Sequence, residues 1–173
     1  KAKLDRKIIW ENIEQSLVQE MEESFVEALR QDIKKADRIL YIGDNAGEIV
    51  LDRLFIENLP REKMTYAVRG GPALNDATIK DAEMVGMDKV VKVITTGLDM
   101  PAAILPLCSR EFIEEYKKSD LVIAKGQGNY EALSDEDKNI FFLLKIKCPI
   151  IAESIGNGYS MGDIVVYRKE RSR

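Results

Sequence analysis

An α/β fold, with a mostly parallel sheet covered by helices on both faces, is the class this sequence predicts, and three observations predict it. From Arg38 onward, short apolar runs alternate with stretches of helical periodicity, the pattern of strand–helix–strand units. The runs are apolar almost throughout, whereas a sheet with one wet face would alternate apolar and polar residues. Four of the runs end in glycine or polar residues, and the carboxyl ends of strands are where open α/β sheets bind ligands.

The elements follow in chain order. Residues 4–36 read as helical, because Ile9, Ile13, Leu17, Met21, Phe25, Leu29 and Ile33 recur at helical spacing among Glu, Gln and Lys. Strands are expected at 39–42, 64–68, 90–94, 121–124, 141–144 and 164–167, and helices near 47–58, 76–86, 109–118 and 150–155. Segments 95–101 and 156–158 are the most loop-like. The chain is therefore divided into an N-terminal helical segment, residues 1–36, and an α/β domain, residues 37–173.

Bulk properties narrow the functions. The chain has 173 residues, enough for one domain with a substantial core. Its net charge of −4, with both signs interspersed, argues against bulk binding to nucleic acid or to an anionic membrane. No apolar run approaches the ~18 residues of a membrane span. The two cysteines, Cys108 and Cys148, lie far apart in the sequence and make no metal-ligand spacing, so they read as buried thiols of a reducing compartment, the cytoplasm. There is no histidine. That removes Ser-His-Asp and Cys-His catalysis and every histidine-ligated metal. Oligomeric state is not legible.

The chemistry must therefore sit on carboxylates, carboxamides, hydroxyls, lysines and backbone amides at the strand ends. After the first strand comes Gly43-Asp44-Asn45-Ala46-Gly47-Glu48; after the second, Arg69-Gly70-Gly71-Pro72 and then Asn75-Asp76-Ala77-Thr78; after the fourth, Lys125-Gly126-Gln127-Gly128-Asn129-Tyr130-Glu131. Asp44, Asn45 and Asp76 offer hard oxygens that suit Mg²⁺ or Mn²⁺. The alternative is that Asp44 and Asp76 only cap the helices that follow. The amides of Ala46, Gly47 and Glu48 could receive an anion at a helix start. Lys125 enters a glycine-rich turn and reads either as a fixed cation for phosphate or as a surface lysine. Arg69, before Gly70, has the same two readings. Asn129 and Glu131 could bond a hydroxylated substrate, or serve as turn and cap residues. The first glycine loop also suggests a methyltransferase with a nucleotide-like methyl donor, although the G-x-G-x-x-G spacing fails. A non-catalytic ligand-binding module is a third possibility.

The blocks LYIGDNAGEIVLD, RGGPALNDATIKDA, KGQGNYE and FFLLKIKCPIIA, in this order, resemble the metal-dependent damage-control phosphatases, first catalogued as domain-of-unknown-function eighty-nine. The short stand-alone archaeal or bacterial type is the nearest match, and the resemblance spans about residues 20–168. It implies a Rossmann-like three-layer α/β/α sandwich with a divalent metal at the sheet's carboxyl edge, Mg²⁺ or Mn²⁺, with Co²⁺ or Ni²⁺ possible. The implied metal ligands are Asp44, Asn45 and Asp76, with Asp44 the candidate nucleophile or base and Lys125 the phosphate contact. The implied substrates are small phosphate monoesters, such as sugar phosphates or damaged phosphometabolites. Family members carry a further N-terminal helical region that helps to cover the site. This chain opens on a single helical stretch, so that region is expected to be absent here and part of the pocket wall with it.

Overall fold

The computed structural model describes Trp10, Glu14, residues 21–156 and residues 158–168. Six strands, β1 (Ile39–Ile42), β2 (Met64–Val68), β3 (Lys92–Thr95), β4 (Leu121–Lys125), β5 (Ile140–Lys145) and β6 (Ile164–Arg168), form one sheet in the order β3-β2-β1-β4-β5-β6. Every neighbouring pair is parallel except β5 with β6, which is antiparallel. The described helices are α1 (Glu23–Lys35), α2 (Ile49–Ile56), α3 (Ile79–Val85), α4 (Arg110–Lys118), α5 (Gly126–Leu133) and α6 (Pro149–Ile155).

The strand period of two explains the layering. All four residues of β1 are buried. Leu40 and Ile42 pack with Phe112, Leu133 and Ile151, from α4, α5 and α6. Ile39 and Tyr41 pack on the other face with Leu29, Ile33, Ile49 and Ala82, from α1, α2 and α3. The result is the expected three-layer α/β/α sandwich with a mostly parallel sheet. Cys108 and Cys148 are free and lie partly buried against the first of these clusters. No helix among the described residues is long and apolar enough to cross a membrane.

Sheet order also locates the crevice. The chain runs from β1 out to β3 on one side, then returns to place β4 on the other side of β1. The direction of winding reverses between β1 and β4, and a crevice opens there at their carboxyl ends.

Besides other shifts of one or two residues at element ends, the elements differ from expectation in four places. β3 begins at Lys92, not at residue 90, because α3 ends on Gly86 (φ 70) and a 3-10 turn, Met87–Lys89, follows it. The helix expected from residue 76 starts only at Ile79; Asp76 and Thr78 are instead held in isolated bridges with Asn45 and Arg69. Gly126–Leu133, expected as a turn, is a helix. Its glycines disguise it, and close approach explains both: a β-carbon on Gly126 (φ +79) would collide with the Asp44 carboxylate, and one on Gly128 with the carbonyl of Pro101. In the N-terminal reading, Trp10 and Glu14 are helical, Met21 and Glu22 are not, and α1 begins at Glu23. The rest of that reading lies outside the described residues.

Candidate active site at the β1–β4 crevice

The residues after β2 fold back along the residues after β1. Ala46 N donates to Asn75 O (2.9 Å), Ala77 N donates to Asp44 O (2.7 Å) and Arg69 N donates to Ala77 O (2.9 Å). These main-chain bonds set Asp44, Asn45 and Asp76 side by side at the tip of the sheet. Neither carboxylate caps a helix. Glu48 precedes α2, and α3 is entered through Thr78, whose amide and hydroxyl donate to Asp81 at 2.8 and 2.6 Å. The capping alternative for Asp44 and Asp76 therefore fails on geometry.

The electrostatics of this tip rest on Arg69, which is 1% exposed. Its Nε donates to Asp76 Oδ2 at 2.6 Å and its Nη1 to Asn129 Oδ1 at 3.3 Å. Its Nη2 lies 3.8 Å from Asp44 Oδ1 and has no hydrogen-bond acceptor. Burial, and then the charge of Asp76, push the Asp44 carboxyl up to about 6 against the opposing pull of Arg69. One guanidinium thus under-compensates two carboxylates. Asn45 Nδ2 donates to Asp44 Oδ2 at 2.8 Å, and Asn45 Oδ1 accepts from Asn75. Among the described residues there is no cluster of three or more His, Cys, Asp or Glu placed to hold a metal. The donor set, two carboxylates and a carboxamide oxygen, nevertheless fits a hard divalent cation that keeps several waters. The unmet negative charge on Asp44 is what such a cation would relieve.

Several expected substrate contacts are placed elsewhere. Arg69 and Asn129 are both buried, not on the crevice wall. Asn129 accepts from Ala103 N (3.1 Å) and donates to Lys125 O (2.8 Å) and Gly43 O (3.3 Å), so it ties α5 to the ends of β1 and β4. The Gly70 amide is taken by Leu98 O at 2.7 Å, where two loops pass too closely for a β-carbon. The amides of Ala46 and Glu48 are likewise taken, by Asn75 O and Asn45 O, while Gly47 between them is exposed to open space. Lys125 pairs with the Glu48 carboxylate and with Asp52 Oδ1 (2.9 Å). Asp52, 2% exposed, also accepts from Tyr41 OH (2.7 Å) and Tyr66 OH (2.8 Å). Burial alone would pull the Lys125 ammonium down, but Asp52 and Glu48 override it and hold its pKa above an ordinary lysine's. This lysine is engaged in neutralising a buried carboxylate.

What faces the crevice is a cleft of about 400 Å³. Its lining joins Asp44, Asn45 and Asp76 to apolar residues (Leu74, Pro101, Ala102 and Ile104) and to polar ones (Gln127, Glu131 and Lys147). Glu131 accepts from Gln127 Nε2 at 2.8 Å. Sequence reasoning missed Asp52, Lys147, Asn75 and Gln127. The spacing of Glu48 and Asp52, one helical turn apart, was the available signal for the first. Lys147 carried none.

Comparison with known proteins bears on the fold and the family. Over 142 residues the chain is 45% identical to an uncharacterized protein of Methanocaldococcus jannaschii, covering 79% of this chain and 46% of the relative. It is 45% identical to a damage-control phosphatase of Pyrococcus horikoshii (73% of this chain, 46% of the relative). It is 40% identical to a damage-control phosphatase of Archaeoglobus fulgidus (74% and 45%). The chain thus spans about half the length of the curated relatives it matches. A crystal structure of a DUF89 family protein from Pyrococcus horikoshii superposes with a TM-score of 0.84 at 37% identity, covering 98% of this chain and 60% of that one. The profile of the Damage-control phosphatase ARMT1-like domain matches residues 3–161, nearly the whole chain, and with these relatives it shows that this chain belongs to that family.

Proposed function

We propose that the chain is a divalent-metal-dependent phosphatase acting on small phosphate monoesters, such as sugar phosphates or damaged phosphometabolites. The observation that carries the reading is the convergence of Asp44, Asn45 and Asp76 in the lining of an open cleft, with neither carboxylate used as a helix cap. Phosphatase names among the relatives support it. Asp44, Asn45 and Asp76 are the residues that would hold Mg²⁺ or Mn²⁺, with Co²⁺ or Ni²⁺ as alternatives. Bound there, the cation would supply Lewis-acid polarisation of a phosphoryl oxygen.

The chain's own residues divide the remaining work. Arg69, itself bonded to Asn129, holds the two carboxylates in register from below. Lys147, on the cleft wall, attracts the phosphate and orients it as a point charge. Gln127 and Glu131 face the ester's carbon skeleton and can bond its hydroxyls. Asp44, at the strand end and open to the cleft, is the nucleophile or general base. Lys125 acts indirectly, by fixing Glu48 and Asp52 behind the tip. The free cysteines accord with a reducing cytoplasmic setting.

The test is release of inorganic phosphate from a panel of monoesters by chelated protein resupplied with Mg²⁺, Mn²⁺, Co²⁺ or Ni²⁺. Hydrolysis that needs the cation and disappears in Asp44→Asn supports the reading. Absence of hydrolysis with every ester and cation, together with binding of a nucleotide-like methyl donor, replaces it with the methyltransferase alternative.

A further inference from the structure

Leu74 is the single non-glycine residue with positive φ among the described residues (φ 51). A bulky residue in this region is a genuine backbone outlier, costing on the order of 1 kcal/mol or more. Its place is a tight turn closed by Asp76 N donating to Ala73 O at 2.9 Å, where glycine or asparagine is the ordinary occupant. The strain does not bury the side chain: Leu74 is 91% exposed. It lines the active-site cleft instead, as do the apolar residues Pro101, Ala102 and Ile104. The same turn carries Asn75 and Asp76, and main-chain bonds on either side of Asp76, Ala46 N to Asn75 O and Ala77 N to Asp44 O, fix its position against the Asp44–Ala46 segment. A strained, exposed, apolar residue on a rigid turn at a site is a functional signature rather than a packing one.

From this we infer that Leu74 is a specificity-determining residue: it closes an apolar wall against the non-phosphate half of the ester and selects substrates with an apolar face. The inference rests on the phosphatase reading above. Leu74 touches the leaving group and not the phosphate, so it tunes which ester is hydrolysed without altering the Asp44-Asn45-Asp76 part of the cleft.

The experiment compares wild type, Leu74→Gly and Leu74→Asn, with Mn²⁺, on methyl phosphate and hexyl phosphate, alongside Tm. Both replacements tolerate positive φ, so Tm is expected to hold or rise. Wild type is expected to prefer the hexyl ester. Both variants are expected to lose about tenfold in kcat/KM on hexyl phosphate, carried by KM, the scale of half-burying a leucine. Methyl phosphate is expected to stay within about twofold. An equal loss on both esters overturns the inference, since Leu74 would then only hold the turn. Unchanged hexyl kinetics overturn it too, leaving Leu74 a contact for polypeptide outside this chain. A fall in Tm overturns it by making the leucine structural. If wild type hydrolyses neither ester nor any other monoester, the phosphatase reading itself has failed, and the inference falls with it.

Discussion

Replacing Arg69 with methionine tests the electrostatic design of the site. The guanidinium is buried, and its Nε–Asp76 Oδ2 contact is 2.6 Å with both side chains almost wholly shielded (1% and 4% exposed). Removing one partner of such a pair costs about 3–5 kcal/mol, because the other charge is left buried and unpaired. The lost hydrogen bond to Asn129 adds about 1 kcal/mol. A domain of this size holds ~5–15 kcal/mol in total, so Arg69→Met should lose a large part of its stability. A divalent cation should then return some of it. Arg69 competes for Asp76 and repels any cation beside it, so its removal should tighten cation binding by about tenfold or more. At a fixed excess of cation, that adds about 1.4 kcal/mol to the stabilisation seen in wild type. The assay is urea unfolding followed by circular dichroism at pH 7.5, with EDTA and with Mn²⁺. A loss below about 1 kcal/mol in EDTA would refute the pairing. An identical Mn²⁺ response in both proteins would refute the site as a cation site.

Three further perturbations separate the roles of neighbouring residues. Asn45→Asp is expected to tighten divalent-cation binding and to slow turnover, because the third carboxylate turns the centre negative where phosphate must dock; calorimetry and phosphate release on one preparation check it. Lys125→Met should lower stability by about 3–5 kcal/mol by stranding buried Asp52, whereas Lys147→Ala should leave stability unchanged and weaken inorganic phosphate binding severalfold, so unfolding curves and phosphate titrations should sort the two lysines in opposite ways. Asp81, held below the usual carboxylate range by its bonds to Thr78, stabilises α3 only when ionised: a depressed folded pKa gives stability that is present above the unfolded value of about 3.9 and lost as pH falls through the folded one. Asp81→Ala should therefore lower Tm at pH 7 and converge with wild type as pH falls through the folded pKa of Asp81, and a gap in Tm that does not narrow with acidification would discount the cap.

The parallel sheet was legible because its strands are continuous apolar runs; β1 and β2 were located to the residue. Helix α5 was not, since Gly126 and Gly128 carry a low helix propensity and are explained only by what they pass, Asp44 and Pro101. Such close approaches are tertiary facts. The same divide runs through the site. Strand-end position pointed to Asp44, Asn45 and Asp76, and the fold brings them together. It could not say that Arg69 and Asn129 lie underneath, or that Lys125 turns toward Asp52 and leaves the crevice to Lys147. A charged residue at a strand end can face either way around the loop, and the choice is made by partners distant in sequence: Lys125 and Asp52 are 73 residues apart.

The most direct test of the site is titration of inorganic phosphate into chelated protein, with and without Mn²⁺, by calorimetry. Phosphate should bind only when the cation is present, and Asp44→Ala and Asp76→Ala should each abolish binding of both. Phosphate binding of equal strength in EDTA, or cation binding that survives both substitutions, would contradict a metal-dependent phosphatase centred on Asp44, Asn45 and Asp76.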